Sequence, residues 1–181
     1  MKKIIVPILF FILSATAGKA QTILPAQYQE LVKKLVASLP KEATVTEKNS
    51  NTSSTSLIDF AKSMLGIPYR YATSNPKVGF DCSGFVSYVF HNFGFNVPRS
   101  STEFNVTGIP VKLENAKVGD VLIFTGSNPR RRAVGHVGII ADIEGDTIHF
   151  IHSTSGKAHG VTITALNPYY RSRLLRAVSI L

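Results

Sequence analysis

The 181-residue chain contains one cysteine, Cys82, so it cannot close a disulfide bond within itself. Acidic residues are also scarce, with 11 Asp and Glu against 20 Lys and Arg, and the formal net charge is +9. Such a basic excess suits nucleic acid, an anionic membrane or the acidic bacterial envelope, and charge alone does not choose among them. Near the start of the chain, the apolar run over residues 4–13 is too short for a membrane-spanning helix, which needs roughly 20 residues.

This short run has the features of an export signal. Lys2 and Lys3 precede it and small residues follow it up to Ala20, which predicts a signal peptide over residues 1–20 that is cleaved after Ala20. No cysteine follows the run for lipid attachment, so we expect an exported periplasmic or extracellular protein that is not a lipoprotein and has no transmembrane segment after cleavage. Loss of Lys2, Lys3 and Lys19 leaves 17 basic and 11 acidic residues, a net charge of +6. Export makes nucleic acid an unexpected partner, and we expect a monomer.

The chain after the predicted signal peptide divides into a short helix, a linker and a folded domain. Apolar residues recur at helical spacing between residues 25 and 39, and Pro40 ends that pattern. Residues 41–55 are rich in Ser, Thr, Asn, Glu and Lys, which predicts a flexible polar linker. We therefore assign residues 21–55 to an amphipathic helix plus linker, and residues 56–181 to one folded domain.

The folded domain changes its hydrophobic period along its length. Apolar residues between Leu57 and Leu65 predict a helix that closes at Gly66, and a second helix begins at about Asp81 or Cys82. Downstream, runs typical of strands follow, separated in most cases by turn residues. These strands are predicted at Val121 to Phe124, His136 to Ile143, Thr147 to His152, Val161 to Thr164 and Leu174 to Leu181. The order indicates an α+β domain with its N-terminal helices packed on one face of a central antiparallel sheet.

Cys82 lies in the first turn of the second predicted helix. Unpaired backbone N–H groups and the helix dipole favour an anion there, and such surroundings can lower a thiol pKa from about 8.5 into the range of about 3.5 to 7.5. The thiolate is a nucleophile, and the same N–H groups can receive the oxyanion of a tetrahedral intermediate. From position alone, a quietly packed core cysteine is an equally good interpretation.

Two of the five histidines fit a site beside Cys82. His136 opens an apolar strand, and Gly138 shares its face and leaves space for a helix end to approach. His152 shares a face with Ile148 and Phe150, which we expect to lie under the helices, so His152 can orient the ring of His136. A buried strand-end histidine remains the alternative for His152. The other histidines are predicted to be solvated (His91, His159) or to face away (His149).

Metal binding is the rival use of the same residues, because one Cys and two or three His can bind zinc. Structural zinc sites usually bring their ligands in close pairs, and His149 and His152, the only close pair, are predicted to point to opposite faces of one strand. We therefore expect no metal and no cofactor.

Several short motifs are similar to those of the NlpC family of papain-like cell-wall cysteine peptidases. The motifs are Gly66-Ile67-Pro68-Tyr69, Asp81-Cys82-Ser83-Gly84-Phe85-Val86, Pro98-Arg99-Ser100-Ser101, Val118-Gly119-Asp120-Val121, His136-Val137-Gly138-Ile139 and Phe150-Ile151-His152-Ser153. Each motif alone is weak, but the six stand in the family's order and cover nearly all of residues 57–181.

The resemblance implies a residue for each part of the chemistry. It implies that Cys82 is the nucleophile, His136 the base and His152 the orienting third residue. It also implies that Tyr69 lies at the mouth of the site, and that Asp81 and Ser83 bind the stem peptide. The implied reaction is hydrolysis of peptidoglycan stem peptides between D-glutamate and meso-diaminopimelate or lysine, through a thioester.

Two other functions stay open at this point. One is a catalytically idle module that binds wall peptides, and the other is a related amidase or acyltransferase on a similar fold.

The chain also departs from the family pattern, because Ala72 and Thr73 stand where paired glycines are common. The interval between His136 and His152 indicates a longer turn than is usual for the family.

Overall fold

The computed structural model describes residues 47–128 and 130–181, with side chains described from Ser54 onward. The predicted signal peptide, the predicted helix between residues 25 and 39 and the first part of the predicted linker lie outside these residues. The elements in chain order are α1 (Glu47–Lys62), β1 (Ser74–Asn75), β2 (Gly79–Phe80), α2 (Cys82–Asn92), β3 (Ile109–Val111), β4 (Val121–Thr125), β5 (Val134–Glu144), β6 (Thr147–Thr154), β7 (Gly160–Ala165), α3 (Pro168–Arg173) and β8 (Leu174–Ser179). Short 3₁₀ helices lie at Glu103–Val106 and Leu113–Asn115.

Helix α1 begins inside the predicted linker. It starts at Glu47, so the prediction of a flexible linker is wrong for residues 47–55. Leu57 and Ala61 are buried and fix the last turns of α1 against the domain. Once those turns exist, Ser, Thr and Asn can extend them at a small cost per residue, because nucleation is the expensive step. The domain boundary itself stays a prediction.

Six strands form one antiparallel sheet in the order β3-β8-β4-β5-β6-β7, and β1 and β2 form a separate small hairpin. The α+β prediction is therefore confirmed. The connection from β5 to β6 is a tight turn at Gly145, whose φ of 58° suits glycine, and Glu144 pairs with Thr147 across it. The predicted long turn between His136 and His152 is wrong, because the length of the two strands takes up that interval.

Both faces of the sheet are buried, in two separate apolar clusters. The first cluster joins α1 and α2 to one face, through residues such as Phe85, Val89, Val137, Ile139 and Ile151. The second lies on the opposite face, beneath α3 and the segment around Ala116. Its buried members are Ala116, Leu122, Phe124, Ile140, Ile148, Phe150, Leu166 and Ala177. Buried on both faces, β4 is apolar at almost every position.

One prediction about the sheet needs correction. Ile148, Phe150 and His152 share a face as predicted, but that face belongs to the second cluster and not to the one under α1 and α2. Ile151 on the other face of β6 is as apolar as Phe150, so the alternation of side chains alone does not decide which face meets the helices.

No helix in residues 47–128 and 130–181 combines the length and the apolar character needed to span a bilayer.

Candidate active site

The start of α2 presents Cys82 through a well-defined N-terminal cap. The carboxylate of Asp81 accepts a hydrogen bond from the backbone N–H of Gly84 at 2.6 Å, so Asp81 is the cap and Cys82 is the first residue of the helix. A side chain at Gly84 would overlap the carbonyl oxygen of Thr73, so this turn requires glycine. The predicted start of the helix is confirmed.

The pKa of the Cys82 thiol is raised above its ordinary value, although the position at a helix N-terminus predicts a lowered one. Burial is the largest cause, and the neighbouring carboxylate of Asp81 is the second. Hydrogen bonds from the backbone N–H groups of Val137, Ser83 and Cys82 itself oppose both causes without overcoming them. The thiol is thus protonated at neutral pH, yet it lies among N–H groups able to stabilise negative charge.

His136 and His152 form a hydrogen-bonded pair that continues to a third strand. Nε2 of His136 lies 2.8 Å from Nδ1 of His152, and Nε2 of His152 lies 3.0 Å from the hydroxyl oxygen of Thr164. Gly138 makes room for this pair, because a Cβ there would stand 2.7 Å from Cδ2 of Phe150 and 3.0 Å from Cβ of His152. The space at Gly138 therefore receives the neighbouring strand, and not a helix end as predicted from the sequence.

Both histidines are neutral at neutral pH. Burial, then His152 and Arg173, lower the pKa of His136 well below its ordinary value. Burial and then Arg173 lower the pKa of His152 to about 4. A neutral His136 whose Nε2 bonds to His152 has its other ring nitrogen, Nδ1, available as an acceptor when Nε2 carries the proton.

Asp81 does not present a free carboxylate. Arg99 binds both of its oxygens, at 2.9 and 2.8 Å, and also donates to the hydroxyl of Ser83 at 3.3 Å. Asp81 and Ser83 line the same cavity as Cys82. The sequence does not single out Arg99, although the motif Pro98-Arg99-Ser100-Ser101 contains it.

Two cavities meet at Cys82 and share Tyr69 and Gly135 with it. The first, the Arg99 cavity, also contains Asp81, Ser83, Arg99, Ser100, Ser101, Tyr71 and Ala72. The second, the His136 cavity, also contains His136, Ser127, Thr154, Ser155, Gly156, Lys157, Tyr169, Tyr170 and Arg173. Burial and the nearby Cys82 raise the pKa of Tyr69, so its hydroxyl keeps its proton and can donate a hydrogen bond at neutral pH.

The remaining histidines have other environments. His91 and His159 are exposed, as the sequence predicts. Nδ1 of His149 lies 2.7 Å from Asp142, and neither residue lines the two cavities. Within the part of the chain that the structure describes, no three His, Cys, Asp or Glu side chains gather closely enough to hold a metal ion.

Of the three consecutive arginines, Arg132 binds the protein through its guanidinium. It donates to the backbone carbonyls of Ser172 and Leu174, at 3.1 Å each, and so ties its loop to the end of α3. Arg130 and Arg131 are exposed.

A thiol at the first residue of a helix, sharing a cavity with a histidine of the adjoining antiparallel sheet, defines the papain-like class of domain. The model of the NlpC/P60 family matches residues 66–179. The chain belongs to the NlpC/P60 family.

Three relatives illustrate the similarity. The chain is 38% identical to the Gamma-DL-glutamyl hydrolase of Bacillus subtilis (strain 168), over 64% of this chain and 26% of that protein. It is 36% identical to the Murein DD-endopeptidase MepS/Murein LD-carboxypeptidase of Escherichia coli (strain K12), over 64% of this chain and 57% of that protein. The crystal structure of an NlpC/P60 family protein from Bacillus cereus ATCC 10987 matches with a TM-score of 0.62 and 32% identity, over 71% of this chain and 40% of that one. The chain thus spans between a quarter and three fifths of the length of these relatives.

Proposed function

We propose that this protein is a cysteine peptidase that hydrolyses the stem peptides of peptidoglycan, with Cys82 as nucleophile and His136 as base. The observation that carries the proposal is that His136, hydrogen-bonded to the buried His152, lines the cavity that Cys82 also lines. Two of the relatives, a glutamyl hydrolase and a murein peptidase, support the substrate class by their names. The predicted signal peptide supports export to the envelope, where peptidoglycan lies.

The protonation of the pair follows from its contacts. For Nδ1 of His136 to accept the thiol proton, Nε2 must carry a proton and donate it to Nδ1 of His152. Nε2 of His152 then carries a proton too and donates to the hydroxyl of Thr164, 3.0 Å away. His152 thus orients the imidazole of His136 and fixes its tautomer, which is the role of the third residue in a triad.

The reaction begins from a neutral thiol and a neutral imidazole. As the sulfur of Cys82 attacks the carbonyl carbon, the thiol proton passes to Nδ1 of His136, and the carbonyl oxygen becomes an oxyanion. Backbone N–H groups at the start of α2 and the hydroxyl of Tyr69 are the donors available to that oxyanion. The carbon–nitrogen bond then breaks, and the leaving amine takes the proton from His136.

The remaining thioester is released by water. His136 accepts a proton from the attacking water, the tetrahedral intermediate collapses, and the sulfur of Cys82 leaves and recovers the proton. Both steps use only the residues described, and no cofactor takes part in the proposal.

For the scissile bond, we propose the one between D-glutamate and the following meso-diaminopimelate or lysine. On the acyl side, Arg99, held by Asp81 and Ser83, gives the Arg99 cavity a fixed positive group next to the nucleophile. We therefore propose that Asp81 and Ser83 bind the stem peptide together with Arg99, and that the Asp81 carboxylate acts through this ion pair.

Digestion of purified muropeptides of known sequence, followed by mass spectrometry, tests the proposal. The wild-type protein should produce a fragment that ends in D-glutamate, whereas Cys82→Ala and His136→Gln should produce none. His149→Gln is the matched control, because its imidazole pairs with Asp142 outside both cavities, and it should cut like the wild type.

Other products would favour the remaining functions. Binding of the muropeptides by the wild-type protein without any cut would favour the idle binding module. Cleavage between the sugar and the first alanine would favour an amidase, and transfer of the acyl group to an added amine would favour an acyltransferase.

A further inference from the structure

The His136 cavity contains a buried arginine that the reaction described above does not use. Arg173 is 8% exposed and lies at the end of α3. Its guanidinium donates to the hydroxyl of Tyr169 at 2.7 Å and to the backbone carbonyl of Thr125 at 2.9 Å. It also lies over the ring of Tyr169, with 5.0 Å between Cζ and the ring centroid. These contacts hold the guanidinium in one position.

The charge of Arg173 has no counter-charge in the described protein. Within residues 54–128 and 130–181, none of the ion pairs involves Arg173, and its buried Nε has no hydrogen-bond partner there. A guanidinium does not lose its proton in a protein, so burial cannot be relieved by neutralisation. Burying an unpaired charge is unfavourable, and an anion entering the cavity would remove that cost.

The proposed proton transfer from His136 indicates which part of a substrate lies near Arg173. His136 must hand its proton to the leaving amine, so the leaving residue lies on the imidazole side of Cys82. Arg173 is on that side, in the same cavity as His136. The cavity has a volume of about 620 Å³, which is ample for one amino acid, and the exposed Lys157 adds a second positive charge at its edge.

We propose that Arg173 forms an anion subsite that binds a carboxylate of the leaving amino acid. This inference rests on the proposed function and adds the specificity of the leaving side. A leaving residue with a free α-carboxylate and a diamino acid with a carboxylate on its side chain share this chemistry. An amidated leaving residue lacks it.

Binding at this subsite would also act on the base. Arg173 contributes to the lowered pKa of both His136 and His152. A bound carboxylate offsets part of that positive charge, so His136 becomes a stronger base when the correct substrate is present.

The test compares peptides that differ only in the leaving residue. In one peptide both carboxylates of a leaving diamino acid are free. In the second the α-carboxylate is amidated, and in the third the side-chain carboxylate is amidated. We expect wild-type kcat/KM to fall about 10- to 100-fold for one of the amidated peptides, as a charged hydrogen bond is lost. That peptide identifies the carboxylate that binds.

The variant Arg173→Gln should reduce this preference to nearly one, because the acid and the amide then meet the same neutral group. Arg171→Gln is the matched control, since Arg171 is an exposed arginine of the same helix that does not line the cavity, and it should keep the full preference. A purely structural role of Arg173 would lower kcat/KM for all three peptides by one factor and leave their ratios unchanged. Unchanged ratios in folded Arg173→Gln, or equal rates on all three peptides in the wild type, would overturn the proposal.

Two further measurements keep the outcome decisive. If Arg173→Gln fails to fold, Arg173→Lys keeps the charge but loses the planar fork, and its preference should fall to an intermediate value. If the wild-type protein cuts none of the peptides, the proposed function fails, and calorimetry with Cys82→Ala tests the subsite by itself. The acid peptide should then bind about tenfold or more tightly than the amide, and Arg173→Gln in the Cys82→Ala background should abolish the difference. Equal binding of acid and amide would overturn the subsite.

Discussion

His152 should make the folded protein sensitive to mild acid. Its side chain is fully buried, and burial together with Arg173 lowers its pKa to about 4, against about 6.5 in an unfolded chain. Between these two values the unfolded chain binds a proton at this position and the folded protein does not. The free energy of unfolding therefore falls as the pH falls through this window, and it is fully retained above about pH 6.5.

The size of the effect follows from the same shift. One such group changes the free energy of unfolding by about 1.4 kcal/mol per pH unit, so His152 alone should account for a loss of about 2 kcal/mol between pH 6.5 and pH 5. His136 adds a contribution of the same sign, because burial lowers its pKa as well. Carboxylates also titrate towards the acid end of this range, but they are the same in every variant compared.

Urea denaturation followed by circular dichroism, at intervals between pH 5 and pH 7, measures this dependence. His152→Gln removes the titrating ring, so towards pH 5 its slope against pH should be smaller than that of the wild type by up to about 1.4 kcal/mol per pH unit, and near pH 7 the two slopes should converge. Thr164→Val is the control, since it removes the hydrogen bond to Nε2 of His152 but keeps the ring, and its slope should match the wild type. Equal slopes for the wild type and His152→Gln would refute the description of His152 as a buried neutral group.

Three other predictions follow from local contacts. Because burial and Asp81 raise the pKa of Cys82, the rate of its alkylation by iodoacetamide should still be increasing at pH 9, and Asp81→Asn should move that increase to lower pH. A rate that has already reached its plateau at pH 7 would contradict this. Gly138→Ala places a Cβ 2.7 Å from Phe150, so chemical denaturation should show a free energy of unfolding that is lower by about 1 to 3 kcal/mol. An unchanged free energy of unfolding would count against the close contact between the strands. Ala72 has a φ of 58°, a conformation that costs a non-glycine residue about 1 kcal/mol or more. Ala72→Gly relieves this strain but makes the unfolded chain more flexible, so the melting temperature should rise by only about 1 to 3 °C, and a lower melting temperature would be the contrary result.

The strands were the most predictable part of the fold. Each long run of β-branched and aromatic residues forms a strand, and the predicted ends differ from the observed ones by no more than two residues. The shortest elements were missed for a physical reason: β1 and β2 have two residues each, β3 has three with Pro110 at its centre, and α3 has six. Elements this short leave little periodicity in a sequence. The signal that was available for α3 is the pair Asn167 and Pro168, which form its N-cap and first turn.

The residues of the candidate site divide in the same way. Cys82, His136 and His152 could be identified because each stands at a defined place in a predicted helix or strand, and their catalytic roles stay proposals. Arg99 and Arg173 could not be selected by periodicity, because long-range packing brings them to Cys82 from a loop and a short helix. The raised pKa of Cys82 could not be predicted either, because its largest cause is burial, and a linear sequence does not show how deeply a side chain is buried.

The central claim is that Cys82 forms a thioester with the acyl part of a stem peptide. It is tested most directly by quenching the wild-type protein in acid during turnover of a muropeptide and analysing its proteolytic fragments by mass spectrometry. We expect added mass on the fragment that contains Cys82, equal to the part of the substrate up to and including D-glutamate, and we expect hydroxylamine to remove it. Acylation of a different residue, or undiminished product formation by Cys82→Ala, would contradict it.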